Sequence, residues 1–321
     1  LMYAQHFQFH AKPFQICTDP TFLWFGQQHK EALAMLLDGI RESQGLVVLS
    51  GGVGTGKTTL INALMQLTMD DVIAAVVTDP GMQPMEFFNY MGNLYGIADK
   101  VGSKADFMAQ FSAFLNDAHQ KKKRVLLVID EAQRLDAGLL KEILSLSRAA
   151  PSGRPQLSLF LVGQSELDTL LQQPENQAIQ QRIAASYHLT PMASDEVGDY
   201  IGHRLLVAGY EQPIFTEDAV GRVHAFSKGY PRLVNTICDH SLINAYVQHK
   251  HKVTATMVEE AAKDIQIPAP TPADPPVTCN IVYHPPEQPS SPSNLRNSHS
   301  KEKKRSSSKN RHPKIGFGRF R

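Results

Sequence analysis

The sequence predicts an α/β protein, a three-layer αβα sandwich around a parallel sheet, followed by a small all-helical domain and a disordered tail. Three observations carry this. A glycine-rich loop, Gly51-Gly52-Val53-Gly54-Thr55-Gly56-Lys57-Thr58-Thr59, stands between the apolar run Leu46-Val47-Val48-Leu49 and the helically spaced Leu60-Ile61-Asn62-Ala63-Leu64. Continuous apolar runs recur at 72–77, 125–129 and 157–162 with helical segments between them, the pattern of parallel strands covered on both faces. From about Ser194 only helical spacing remains, over 194–208, 216–227, 231–248 and 254–264. The expected division is a nucleotide-binding αβα domain over 1–192, a helical lid over 193–266, a proline-rich linker over 267–292 and a basic, disordered tail over 293–321.

Composition narrows the classes. At 321 residues the chain has ample material for one large core or two modest ones. No apolar run approaches the roughly 20 residues that span a bilayer, so no transmembrane segment is expected. The opening Leu1-Met2-Tyr3-Ala4-Gln5-His6 lacks the basic and apolar regions of a secretory signal. Cys17, Cys238 and Cys279 form no C-x-x-C pair, which argues against a disulfide framework or thiolate metal site and fits a reducing cytoplasm. The formal net charge of +1 hides an asymmetry: residues 293–321 hold ten Lys/Arg against one acid, +9, and the remainder holds 22 against 30, −8.

In chain order, an aromatic cluster (Phe7, Phe9, Phe14, then Phe22, Trp24 and Phe25) precedes a helix whose apolar face is Leu33, Leu36, Leu37 and Ile40. Most of that cluster should be core, with part of it available to pack on a nucleotide base. The glycine-rich loop then matches G-x-x-x-x-G-K-[ST], the P-loop. Its glycines let backbone N–H groups turn inward around a phosphate, and the following helix presents its positive end to the same anion. Lys57 would bridge the β- and γ-phosphates of ATP, and the Thr58 hydroxyl would be a ligand of Mg²⁺. The run Val72–Val77 reads as a strand buried on both faces. Ser103-x-x-Asp106 marks a helix start, with Phe107, Phe111, Phe114 and Leu115 on the buried side. Lys121-Lys122-Lys123-Arg124 reads as a solvated loop.

The strand Val125–Ile129 ends in Asp130-Glu131, which places two carboxylates at the ligand-binding edge of a parallel sheet. Asp130 would hold the Mg²⁺ shell, and Glu131 would orient and deprotonate an attacking water. After the fourth strand, Leu157–Val162, Gln164 could touch both the γ-phosphate and that water; the same stretch also suits a helix N-terminus. An extra strand between the two nucleotide strands, with a catalytic Glu, points to the additional-strand class of P-loop ATPases. In the helical region, Arg232 follows Pro231 in a first helical turn, from which it could reach phosphates across a cleft or simply face solvent. Nine prolines between 268 and 292 make an extended spacer, so order should end near Ile267. The Ser/Lys/Arg tail beyond has too little apolar content to fold alone.

Taken in order, these residues resemble AAA+ ATPases and, within them, the general secretion pathway protein A (ExeA-like) group. The resemblance runs over roughly residues 2–265: Met2-Tyr3, Pro13-Phe14, Asp19-Pro20, His29-x-Glu31-Ala32-Leu33, the P-loop, Ile129-Asp130-Glu131-Ala132-Gln133, Leu161-Val162-Gly163-Gln164, Gln181-Arg182-Ile183, Tyr187-His188-Leu189 and Gly229-Tyr230-Pro231-Arg232. It implies that Gln164 is the sensor-1 residue, Arg232 the sensor-2 arginine, and Arg182 an arginine finger inserted into a neighbouring subunit; otherwise Arg182 is a surface cation. A finger in trans requires a homo-oligomer, ring or filament. Many relatives carry an acid where this chain has Gly52, and some continue into a membrane span and a cell-wall-binding domain where this chain has its proline spacer.

The expected activity is Mg²⁺-dependent ATP hydrolysis, in the cytoplasm or peripherally at the inner membrane. The resemblance implies a part in assembling or energising a cell-envelope secretion or pilus system. The competing expectation is a nucleotide-switched DNA-binding adaptor of the transposition or replication-initiation type. The +9 tail suits nucleic-acid phosphates and anionic lipid heads alike.

Overall fold

The structure is a computed structural model describing residues 2–15, 22–43, 45–68, 70–97, 101–147, 156–268 and 282–283. Leu1–Pro285 forms one compact unit. The second unit, Pro286–Arg321, and with it the expected basic tail, lies outside the described residues, as do most of the proline-rich linker, Cys17 and Cys279.

Five parallel strands make the sheet: β1 (Leu46–Gly51), β2 (Val72–Val77), β3 (Arg124–Ile129), β4 (Leu157–Val162) and β5 (Ile183–Leu189), in the spatial order β2-β3-β4-β1-β5. The expected extra strand is β4, which separates the P-loop strand β1 from β3. Strand alternation sorts side chains to the two faces. Leu46 and Val48 point into one core with Phe87, Phe88, Phe107, Phe111 and Ile143, from α4 (Pro84–Leu94), α5 (Lys104–Gln120) and α6 (Ala137–Leu146). Val47 and Leu49 point into the other, with Leu36 and Ile40 of α2 (Gln27–Arg41) and Leu60, Ile61 and Leu64 of α3 (Lys57–Thr68). Helix α5 starts where its cap predicts: the Ser103 hydroxyl accepts from the Asp106 N–H at 3.2 Å, and Phe107, Phe111 and Leu115 are buried.

Three expectations need correction. β5 was not foreseen as a strand; it occupies the sheet position beside β1. β2, read as covered on both faces, pairs only with β3 and buries only Ala75 and Val77, because it is an edge of the sheet. Order does not end outright at Ile267: β6 (Val282–Tyr283) pairs antiparallel with Ala185 and Ser186 of β5. It falls in the proline-free stretch between Pro276 and Pro285, where strand-forming residues can meet an open edge.

Helix α7 (Ser165–Gln172) and the short α8 (Gln177–Gln180) precede β5; the helices that follow it, α9 (Ser194–Val207), α10 (Glu217–Ser227), α11 (Pro231–Val247) and α12 (Ala255–Asp264), lie close to their sequence-based bounds. These last four share a core with the first residues of the chain. Tyr3, Phe7, Phe9 and Phe14, some of them near α1 (Met2–His6), pack with Val197, Ile201, Val234, Ile237 and Val258. Arg204 of α9 seals this junction: its buried guanidinium donates to the carbonyls of Pro13 and Gln15, both at 2.6 Å, and lies over the Phe22 ring.

Candidate nucleotide-binding site

Because the strands are parallel, the loops leaving their carboxyl ends gather on one edge of the sheet. Gly51 closes β1, and residues 52–56 carry the chain into α3. Lys57, buried in the first turn, donates from Nζ to the carbonyls of Gly51 (2.8 Å) and Gly52 (2.9 Å). Burial lowers its pKa, opposed by the carboxylates of Glu131, Asp130 and Glu166. Thr58 donates to Asp130 Oδ2 at 3.0 Å, so the hydroxyl and carboxylate expected to hold Mg²⁺ already lie side by side. A hydroxyl and a carboxylate are hard oxygen donors of the kind Mg²⁺ takes. Among the described residues no cluster of three or more His, Cys, Asp or Glu offers a rival metal site.

Asp130 also accepts the Glu131 N–H at 2.9 Å, while Glu131 itself takes a left-handed backbone (φ 52°, ψ 35°) at the start of a 3₁₀ turn, Ala132–Arg134. Since β4 lies between β1 and β3, the loop after β4 brings Gln164 between the P-loop and the acids. Its Nε2 donates to Glu131 Oε2 at 3.2 Å. Gln164 is at the same time the N-cap residue of α7, in line with the helix-start reading of this stretch.

The helical region roofs the loop. Tyr230 and Arg232, at the start of α11, close on Gly52 and Gly54: a β-carbon on Gly52 would lie 2.8 Å from the Tyr230 ring, and one on Gly54 would lie 2.9 Å from Arg232 Cβ. Gly52 thus leaves the space that the Tyr230 ring takes. Residues that sequence reasoning did not assign to the site join it. His29 of α2 meets the Thr55 carbonyl at 3.0 Å; a carbonyl only accepts, so Nε2 carries the proton, and burial lowers the pKa of the ring. Gln133 bonds both Glu131 and the Gln164 main chain. Neither residue has a local signal beyond its place in the quoted motifs. A cavity of about 420 Å³ joins Lys57, Thr58, Glu131, Gln164 and Arg232 to Phe22, Trp24, Phe25, Tyr200 and Arg204, so the second half of the aromatic cluster lines the site and the first half is core.

Arg182 is not in this group. It is half-buried in the turn before β5, where Ile183 pairs with Leu46 while Leu189 pairs with Gly51. A strand of this length puts Arg182 about 20 Å from the P-loop of its own chain, at the amino end of the sheet.

Residues 40–171 match the AAA domain family. The chain is 36% identical over 266 residues to general secretion pathway protein A of Aeromonas hydrophila, covering 82% of this chain and 48% of that protein. It therefore spans about half the length of that curated relative. In fold it is similar to the Aeropyrum pernix ORC2 protein (TM-score 0.60, 17% identity, 79% of this chain and 71% of that one). It is also similar to Cdc6p from Pyrobaculum aerophilum (0.59, 17%, 77% and 71%) and to the RuvB Holliday junction branch migration motor of Thermotoga maritima (0.50, 16%, 74% and 69%). No helix among the described residues is long and apolar enough to cross a membrane. With the P-loop on β1, Asp130-Glu131 on β3 and β4 between them, the chain belongs to the AAA+ family, and within it resembles general secretion pathway protein A.

Proposed function

We propose that this chain binds ATP with Mg²⁺ and hydrolyses it to ADP and phosphate. One observation carries the reading: the Thr58–Asp130 pair stands beside Glu131 and Gln164 at the mouth of a P-loop whose lysine donates to the Gly51 and Gly52 carbonyls. In this reading the N–H groups of Gly51–Thr59 wrap the phosphates, and Lys57 exchanges the Gly51 and Gly52 carbonyls for β- and γ-phosphate oxygens. Thr58 and Asp130 hold Mg²⁺, which supplies neutralisation of charge on the phosphoryl oxygens. Glu131 takes a proton from the water that attacks the γ-phosphorus, as the bond to ADP breaks. Gln164 fixes water and γ-phosphate together. Residues 193–266 act as a lid bringing Arg232 to the phosphates, and Arg182 serves a neighbouring subunit's site in a ring or filament. The A. pernix relative was solved as ADPNP–ADP complexes, which supports the ligand class.

The name of the A. hydrophila relative supports a role in secretion; in this reading the chain assembles or energises a cell-envelope secretion or pilus system, from the cytoplasm or peripherally at the inner membrane. The test of the core reading is Lys57→Ala with ATP titration. Binding should fall below detection while the melting temperature is kept, and unchanged affinity overturns the reading.

A further inference from the structure

Gln133 is the residue of this site whose bonds outrun any role given to it so far. It sits in the 3₁₀ turn two residues beyond Glu131 and donates from Nε2 to Glu131 Oε2 at 2.7 Å, while its Oε1 accepts the Gln164 main-chain N–H at 3.0 Å. A main-chain N–H only donates, so the atom facing Gln164 is the amide oxygen, and the amide nitrogen must face the carboxylate. The same logic fixes the Gln164 side chain, which meets the carboxylate through Nε2 at 3.2 Å. Space has been kept for this bridge: a β-carbon on Gly163 would come within 2.7 Å of Gln133 Oε1. Both amides address the same carboxylate oxygen, Oε2.

The two arms differ in duty. Gln164 is shared with the nucleotide in the reading above, and its bond is the longer one. Both polar atoms of the Gln133 amide are already engaged, one on the carboxylate and one on the loop that carries Gln164. Glu131 needs such a support, because its backbone lies in a region that non-glycine residues occupy at a cost unless the surroundings enforce it.

We propose that Gln133 is the positioning residue for hydrolysis. It holds Oε2 so that Oε1 of Glu131 is presented to the attacking water, and it ties that carboxylate to the loop that reads the γ-phosphate. The proposal rests on Glu131 being the general base.

The test uses the full chain with Mg²⁺ and ATP, reading kcat, KM and the affinity of a non-hydrolysable ATP analogue. Gln133→Met keeps the volume and loses both bonds. Gln133→Glu keeps an oxygen toward the Gln164 N–H but sets a carboxylate against Glu131. Both variants should lose about ten- to a hundredfold in kcat, the scale of a small misplacement of a reacting group. KM and analogue affinity should stay within about twofold, since Lys57, Thr58 and the P-loop N–H groups, which carry most of the binding in this reading, are untouched. In a Glu131→Gln background Gln133→Met should cost nothing more, because the carboxylate it holds is gone. Wild-type kcat in Gln133→Met overturns the proposal. So does wild-type kcat in Gln133→Glu alone, which would reduce Gln133 to an anchor for the loop, or an undiminished penalty in the Glu131→Gln background. If Glu131→Gln itself turns over at the wild-type rate, the base assignment falls and takes this proposal with it.

Discussion

The two ends of the parallel sheet are built on different principles. At the carboxyl end, Lys57, Thr58, Asp130, Glu131, Gln133 and Gln164 sit within a mesh of hydrogen bonds, with His29 bracing the loop from below and Tyr230 and Arg232 covering it. At the amino end, Arg182 stands in the turn before β5, about a full strand away from that mesh. The difference teaches that one chain gathers its phosphate-loop residues at a single sheet edge, whereas Arg182 is out of reach of its own site, so the finger role proposed for it requires another copy.

The sharpest way to break this comparison is to separate the ends onto different subunits. Arg182→Ala should leave ATP affinity intact and lower turnover about a thousandfold, on the scale of arginine fingers elsewhere. Mixing it with Glu131→Gln subunits should restore turnover, since some interfaces then pair an intact Glu131 with an intact Arg182. No recovery at any mixing ratio would leave Arg182 a surface cation. A smaller effect tests how tightly the carboxyl end is covered. Gly52→Ala adds a methyl 2.8 Å from the Tyr230 ring at a position with no unusual backbone angle, so its effect reports space alone. Overpacking of this kind costs about 1–3 kcal/mol. We expect weaker ATP binding, relieved by Tyr230→Ser; equal affinity in the wild type and Gly52→Ala would mean that the roof is not held there.

The smallest effect concerns His29. Burial depresses its pKa below the ordinary 6.5, with the Thr55 bond and Glu196 opposing. As pH falls through about 6.5 the unfolded chain takes up the proton before the folded one does, so stability present above that value is lost toward acid. Replacing the ring by His29→Gln, which keeps a donor for Thr55, should flatten the fall in melting temperature between about pH 7.5 and about pH 5.5. Parallel curves for the two proteins would show that His29 takes up its proton at the same pH folded and unfolded, and would overturn the depression of its pKa.

How legible each end was in the sequence follows from how local its signals are. The P-loop, Asp130-Glu131 and the helix bounds after Ser194 depend on contiguous patterns, and they stand where the pattern put them. β5 escaped because Ile183-Ala184-Ala185-Ser186-Tyr187-His188-Leu189 buries only alternate residues, and its alanines have little strand preference. The exposed edge of β2 escaped because an apolar run says nothing about how many neighbours a strand will have. Gln133 was visible only as a letter in a motif: its importance comes from Gly163 and Gln164, about thirty residues downstream, and from the pairing of β4 beside β3. Arg204 gave no signal either, since a guanidinium bound by main-chain carbonyls leaves no partner residue type to search for.

That Arg204 clasp has a consequence for how the protein is made. The Pro13 carbonyl it holds is 191 residues away in sequence, and Tyr3 reaches Asp239 across 236. At about 5–20 residues per second of synthesis, the aromatic leader leaves the ribosome roughly ten to forty seconds before α9 exists to receive it. The five parallel strands and the phosphate loop can finish earlier, on contacts that end at Leu189. Residues made well before their partners are therefore among the last to find their place, and the cover over the nucleotide site closes only after its floor has been laid.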